Sequence, residues 1–134
     1  MEAPDRLDSQ DEPYLPIVTR WLDFSTWLLQ TTGGFPKHLR HSLVHRLDSE
    51  ALEILSLLTD ACYRQRKAGL LTAANQSLNR LRVLLELSHR LGGLSHNAHE
   101  HSLVATAEFG RMLGGWLRHA RGREAGRRSP STNA

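Results

Sequence analysis

Cysteine is almost absent from this 134-residue chain: Cys62 is the only one, so neither an intrachain disulfide nor a site built of several thiolates can form. Placed among apolar residues, it reads as a small core side chain. Long apolar runs are missing too, and none approaches the roughly 18 residues that a membrane span requires. The first residues are acidic and contain proline where a signal peptide would be basic and then apolar, so a cytoplasmic protein with no membrane partner is expected. Also missing are a glycine loop set between strand and helix, a nucleophile with an oriented base, and paired carboxylates. Their absence points away from an enzyme and from a cofactor.

What the chain has is arginine. Fifteen of its seventeen basic residues are arginine, the side chain whose planar fork matches phosphate and carboxylate oxygens. The net charge of +3 hides a split: residues 1–60 hold five Lys/Arg against ten Asp/Glu, and residues 61–134 hold twelve against four. The halves therefore carry −5 and +8, and an anionic partner for the second half follows.

Apolar residues recur at helical spacing throughout, with no β-period segment and no internal repeat. Residues 1–13 read as a flexible acidic tail, 14–121 as the folded domain, and 122–134 as a flexible basic tail. Four helices are expected. The first runs from about Tyr14 to Thr32, with Pro16 in its first turn, a stripe of Ile17, Trp21, Phe24, Trp27 and Leu28, and a stop at Gly33-Gly34. A long second helix opens at Pro36 and reaches about Lys67, carried by Leu39, Leu43, Leu47, Ile54, Leu58, Ala61 and Cys62. The third spans about Leu71 to Leu91 and closes on Gly92-Gly93 as a left-handed cap. Ser95 caps the fourth, which continues to about Arg121. Short connections make sequential helices antiparallel, giving an all-α, up-down-up-down four-helix bundle.

Two features exceed what such a bundle needs. On the third helix Leu78, Leu81, Val83, Leu84, Leu85, Leu87, Ser88 and Leu91 sweep roughly twice the ~100° stripe that faces a single core. The surplus marks a self-association surface that includes Leu84, Leu87 and Leu91. On the fourth helix Phe109, Met112, Leu113 and Trp116 share a face, beside a bare strip of Ala107, Gly110 and Gly114. Each interior glycine costs about 1 kcal/mol against alanine, so close approach by another backbone, a neighbouring chain or a ligand is expected there, with Gly110, Gly114 and Trp116 part of the interface between copies. Arg111, Gly115 and Arg118 leave an open spot between two guanidinium groups.

The remaining charges sort by position. Arg118, Arg121 and Arg123, followed by Arg127 and Arg128, suit phosphate contacts of low sequence preference. Arg64, Arg66 and Lys67 form a second basic cluster near the turn between the second and third helices, at the same end of an antiparallel bundle. Arg46 with Glu50 and Glu53, and Arg82 with Glu86, have the spacing of weak intrahelical pairs. Glu50 sits close to the apolar stripe, so it should seek an arginine from another helix. Histidines at 38, 41, 45, 96, 99 and 101 include metal-like spacings, but no Asp, Glu or Cys completes a set. They read as solvated helix-face residues with no metal.

Three motifs carry a family resemblance: Phe35-Pro36-Lys37 with Arg40, Leu43 and Arg46; Leu78-Asn79-Arg80-Leu81-Arg82-Val83-Leu84-Leu85; and Gly110-Arg111-Met112-Leu113-Gly114-Gly115-Trp116. Over residues 15–120 the chain resembles the accessory variability proteins of diversity-generating retroelements, with the related four-helix proteins encoded in ribosomal RNA intervening sequences. The resemblance implies a basic, barrel-like homopentamer that binds template RNA, or a DNA/RNA hybrid, and associates with a reverse transcriptase. It implies support for template-RNA-primed cDNA synthesis in mutagenic retrohoming. By matching position it points to Arg82 and Arg111 as contacts to enzyme or RNA, then Arg80 and Arg118. Glu86 departs from the basic residue that some of these proteins place one turn after Arg82. The alternative is an oligomeric protein-interaction scaffold of the intervening-sequence kind, without a reverse transcriptase.

Overall fold

A computed structural model describes residues 14–132, with side chains described to residue 126; the expected acidic tail, residues 1–13, lies outside the described residues. The described residues hold four α-helices and no strand: α1 (Pro16–Thr32), α2 (His45–Tyr63), α3 (Ala68–Arg90) and α4 (His96–Thr132). The chain is a four-helix bundle.

Helix α1 begins with Pro16 in its first turn, where a missing N–H costs nothing, and ends at Thr32 as the Gly33 and Gly34 amides close onto Leu29 and Thr31 carbonyls. Its buried stripe is Ile17, Trp21, Phe24 and Leu28, while Trp27 is only half-buried. The Trp21 indole N–H donates to the Ala51 carbonyl at 2.9 Å, tying α1 to α2 inside the core.

The single long helix expected from Pro36 to Lys67 is not continuous. Pro36 leads into a 3-10 turn (Lys37–Leu39), then a π-helical turn (Arg40–Val44), and α-geometry starts only at His45. All seven apolar residues expected to carry this segment are buried, so its pattern held although its helical type changed. The helix stops at Tyr63 because Arg64 is extended, with φ −106° and ψ 145°.

Helix α3 starts three residues before the expected Leu71, and a distant residue explains why. The Glu124 carboxylate on α4 accepts hydrogen bonds from the Lys67 and Ala68 amides at 3.1 and 2.9 Å, capping α3 where no local side chain does. The same bonds tie down α4 beyond its expected close near Arg121, and the helix passes through Gly122 to Thr132. At its far end α3 closes as expected: Gly92 has φ +81°, its amide donates to His89, and the Gly93 amide donates to Ser88. The Ser95 hydroxyl accepts from the Ala98 amide at 3.1 Å, the expected cap of α4.

The wide apolar arc of α3 divides in two. Leu78, Leu81, Leu85 and Ser88 are buried and Leu84 is half-buried, but Val83, Leu87 and Leu91 are 69%, 43% and 52% exposed. The surplus surface exists.

Candidate nucleic-acid interface

The basic end is assembled by the bonds that cap α3. Where Glu124 grips the Lys67 and Ala68 amides, α4 brings Arg118, Arg121 and Arg123 to the turn that carries Arg64 and Arg66. The Arg121 guanidinium reaches the Thr72 hydroxyl at 3.4 Å. Tyr14 closes the same end, its ring 6.1 Å from that of Trp116 and nearly parallel, and 5.5 Å from His119. Arg64, Arg66, Arg118 and Arg121 are exposed and Arg123 is half-buried, so a cluster of guanidinium groups faces outward.

Two residues assigned to the surface belong to the core. Lys67 is 2% exposed and its ammonium lies 6.0 Å from the Trp116 ring centroid, at the edge of cation–π range. Its ammonium is therefore turned inward, away from the exposed guanidinium groups. Trp116 is fully buried within its own subunit, so its indole is a packing group and not part of a contact between copies. The apolar period of α4 places Trp116 on the core-facing side with Phe109 and Leu113, and all three are buried.

Within the subunit the glycine row meets side chains only. A methyl group added at Gly110 would meet only the Leu78 side chain, at 3.6 Å, and one at Gly114 only the Arg118 guanidinium, at 3.5 Å. No neighbouring backbone approaches them within the subunit. The spot over Gly115 is not open either, since Arg118 and the Tyr14 ring both lie within 4 Å of it. Gly110→Ala should therefore raise the melting temperature of the isolated subunit, reflecting up to ~1 kcal/mol of recovered helix propensity. If the glycines face a second copy, the same change weakens assembly in sedimentation while the subunit gains stability.

Arg80, Arg82 and Arg111 are exposed but stand apart from the end cluster. Arg111 lies two turns, about 10 Å, before Arg118 along α4. Arg82 is about 21 Å along α3 from its start. Arg80 has an internal role, donating from Nε to Glu50 at 2.9 Å, with Ser77 donating to the other carboxylate oxygen and Arg46 at 3.8 Å. This is the interhelical arginine that Glu50 was expected to find. Burial pushes the Glu50 carboxyl up, but the Arg80 and Ser77 hydrogen bonds and the charges of Arg80 and Arg46 outweigh it and hold the pKa below its usual 4.5.

A depressed native pKa means that the stability Glu50 supplies is present above the unfolded value and lost as pH falls through the folded one. Acid unfolding of the protein and of Glu50→Gln should thus converge below about pH 4. At pH 7 the variant should be less stable by roughly 1–3 kcal/mol, because the carboxamide has one acceptor oxygen where the carboxylate has two, so Ser77 and Arg80 cannot both be accepted and the negative charge facing Arg80 and Arg46 is lost. Denaturant melts across pH 3–7 read both.

Arg82 does not pair with Glu86. Instead Arg90 donates to Glu86 at 3.0 Å, and His99 Nε2 lies 3.2 Å from the other carboxylate oxygen. The Arg90 hydrogen bond lowers the Glu86 pKa. His99 is 8% exposed and stacked on His89 at 4.2 Å, so it is not the solvated histidine its position implied. Among the described residues no three His, Cys, Asp or Glu side chains form a metal-holding group.

With the fold and this basic end in view, the decisive comparison is at the level of family: the sequence model described as bAvd-like matches residues 15–120. The chain belongs to the bAvd-like family. The match covers α1 to α3 and most of α4, including all three motifs and Arg118, and stops just before Arg121, Arg123 and Glu124. The part of the basic end contributed by those three residues therefore lies outside the family match. No curated protein and no solved structure matches the chain. Among the described residues of this bAvd-like chain, no helix is long and apolar enough to cross a membrane.

Proposed function

We propose that this bAvd-like protein is a non-catalytic, cytoplasmic accessory factor of a diversity-generating retroelement. It binds template RNA, or a DNA/RNA hybrid, associates with the reverse transcriptase, and supports template-RNA-primed cDNA synthesis. The single observation that carries the reading is the basic end, in which the Glu124 bonds to Lys67 and Ala68 join two arginine clusters, in a chain of this family. Arginine forks grouped in this way hold phosphates in any sequence, as an accessory factor for a polymerase requires.

The bundle in this reading is antiparallel, up-down-up-down. It is supported by the ladder along α1 and α4, where Tyr14 meets Trp116, Trp21 meets Phe109, and Trp27 meets His101. Copies assemble into a homopentameric barrel through the uncovered strip of Val83, Leu87 and Leu91, with Leu84, Gly110 and Gly114 as further contacts between copies. Five basic ends then act together, which raises avidity without new contacts. Titrating a labelled RNA hairpin with the protein at increasing salt tests the function. Affinity should fall linearly on a log–log scale, and a flat response overturns the reading.

A further inference from the structure

Helix α4 is polarised. Its first half, residues 96–110, carries Glu100 and Glu108 and no Lys or Arg, whereas residues 111–126 carry four arginines against Glu124. Beside the acidic half, α1 and α4 part to leave a groove of about 370 Å³ whose floor and walls are the rings of Trp21, Phe24, Trp27 and Phe109. Trp21 and Phe109 form the buried floor, while Trp27 is half-exposed and tilts against His101, with ring centres 4.5 Å apart.

The rim is acidic. Glu108 stands 3.8 Å from Arg20 without a hydrogen bond between them, both side chains more than half exposed, and Asp23 accepts no hydrogen bond among the described residues. Two carboxylates against one guanidinium leave the rim net negative. A negative rim over aromatic faces attracts a cation twice, through the carboxylates and through the ring quadrupoles. It repels phosphate, so this surface differs in kind from the basic end.

We infer that the α1–α4 groove is a docking site for a protein partner that inserts an arginine side chain from a basic, amphipathic segment. The guanidinium lies against Trp27 and pairs with Asp23 and Glu108, and Val104, one turn from both His101 and Glu108 and 63% exposed, receives the segment's apolar neighbours. The site is independent of the nucleic-acid reading, because a protein that bound no RNA would still carry it.

Tryptophan emission tests this directly, since Trp21 and Trp116 are fully buried and Trp27 alone is accessible. The probe is the capped peptide acetyl-Leu-Arg-Leu-amide, with its citrulline counterpart as the uncharged isostere. The arginine peptide should change the emission saturably and bind at least about fivefold more tightly than the citrulline peptide, from the added charge-assisted contacts. Asp23→Asn with Glu108→Gln should erase that preference without lowering the melting temperature, and Trp27→Phe should remove the signal. Equal response to both peptides, or none, overturns the proposal. So does an oligouridylate that quenches Trp27 more strongly in the double variant, which would make the groove a nucleic-acid surface. Disassembly on Trp27→Ala, together with no peptide response in the unaltered protein, would assign the groove to a second copy and overturn it as well.

Discussion

Reversing Arg118, Arg121 and Arg123 to glutamate together is expected to lower affinity for a structured RNA by about 100-fold or more near 0.1 M salt. Each phosphate contact releases condensed counterions, so losing three should also reduce the slope of log affinity against log salt by roughly 2 to 3. The slope is the stronger test, because misfolding would remove binding without giving an orderly change in salt dependence. Arg118 and Arg121 are exposed and Arg123 is half-buried; Arg121 makes a long contact to Thr72, and Arg118 covers Gly114 and Gly115. The fold should survive. Arg82→Glu and Arg111→Glu form a separate arm, since those residues lie along the helices and not at the end. If they weaken reverse transcriptase association while the triple variant weakens RNA binding, the two partners use different surfaces. Unchanged RNA affinity in the triple variant would remove the basic end from the function.

The helices were legible in the sequence because their periods are strong, and what was not legible depended on contacts between residues far apart in the chain. Ile17, Trp21, Phe24 and Leu28, and the whole set from Leu39 to Cys62, could be assigned to the core from spacing alone. The Gly92 cap and the Ser95 cap were readable because each is a local choice with few alternatives. The change from 3-10 to π to α geometry across residues 37–45 left no pattern, since the apolar faces stay buried through the switch. In sequence Glu124 is a single acid among the arginines of residues 118–128. Its role requires the amides of Lys67 and Ala68, more than fifty positions away, which no periodicity encodes.

The candidate site divides along the same line. Residue type named the arginines, but only packing separates Arg118 and Arg121, which face outward, from Arg80, which is held by Glu50, and from Lys67, which is buried. A charge count treats these four alike. The groove beside Trp27 was invisible for a further reason: its walls come from the same aromatic residues that the period assigns to the core, and only the parting of α1 and α4 exposes one of them.

Trp116→Ala is expected to destabilise the subunit by about 3–5 kcal/mol, the usual cost of removing a large buried aromatic ring. For a domain of this size that lowers the melting temperature by on the order of 10–20 °C. The indole is fully enclosed, Tyr14 stacks on it and the Lys67 ammonium lies 6.0 Å from its ring centroid, so two neighbours from outside α4 lose the same packing partner at once. Trp116→Phe retains much of the apolar volume and should recover part of the loss. Melting at two protein concentrations separates packing from assembly: a core residue shifts the transition equally at both, whereas an interface residue shifts it more at the lower concentration. If Trp116→Ala left the subunit's melting unchanged and only dissociated the oligomer, the indole would be a contact between copies, and its enclosure within one chain would not describe the assembled protein.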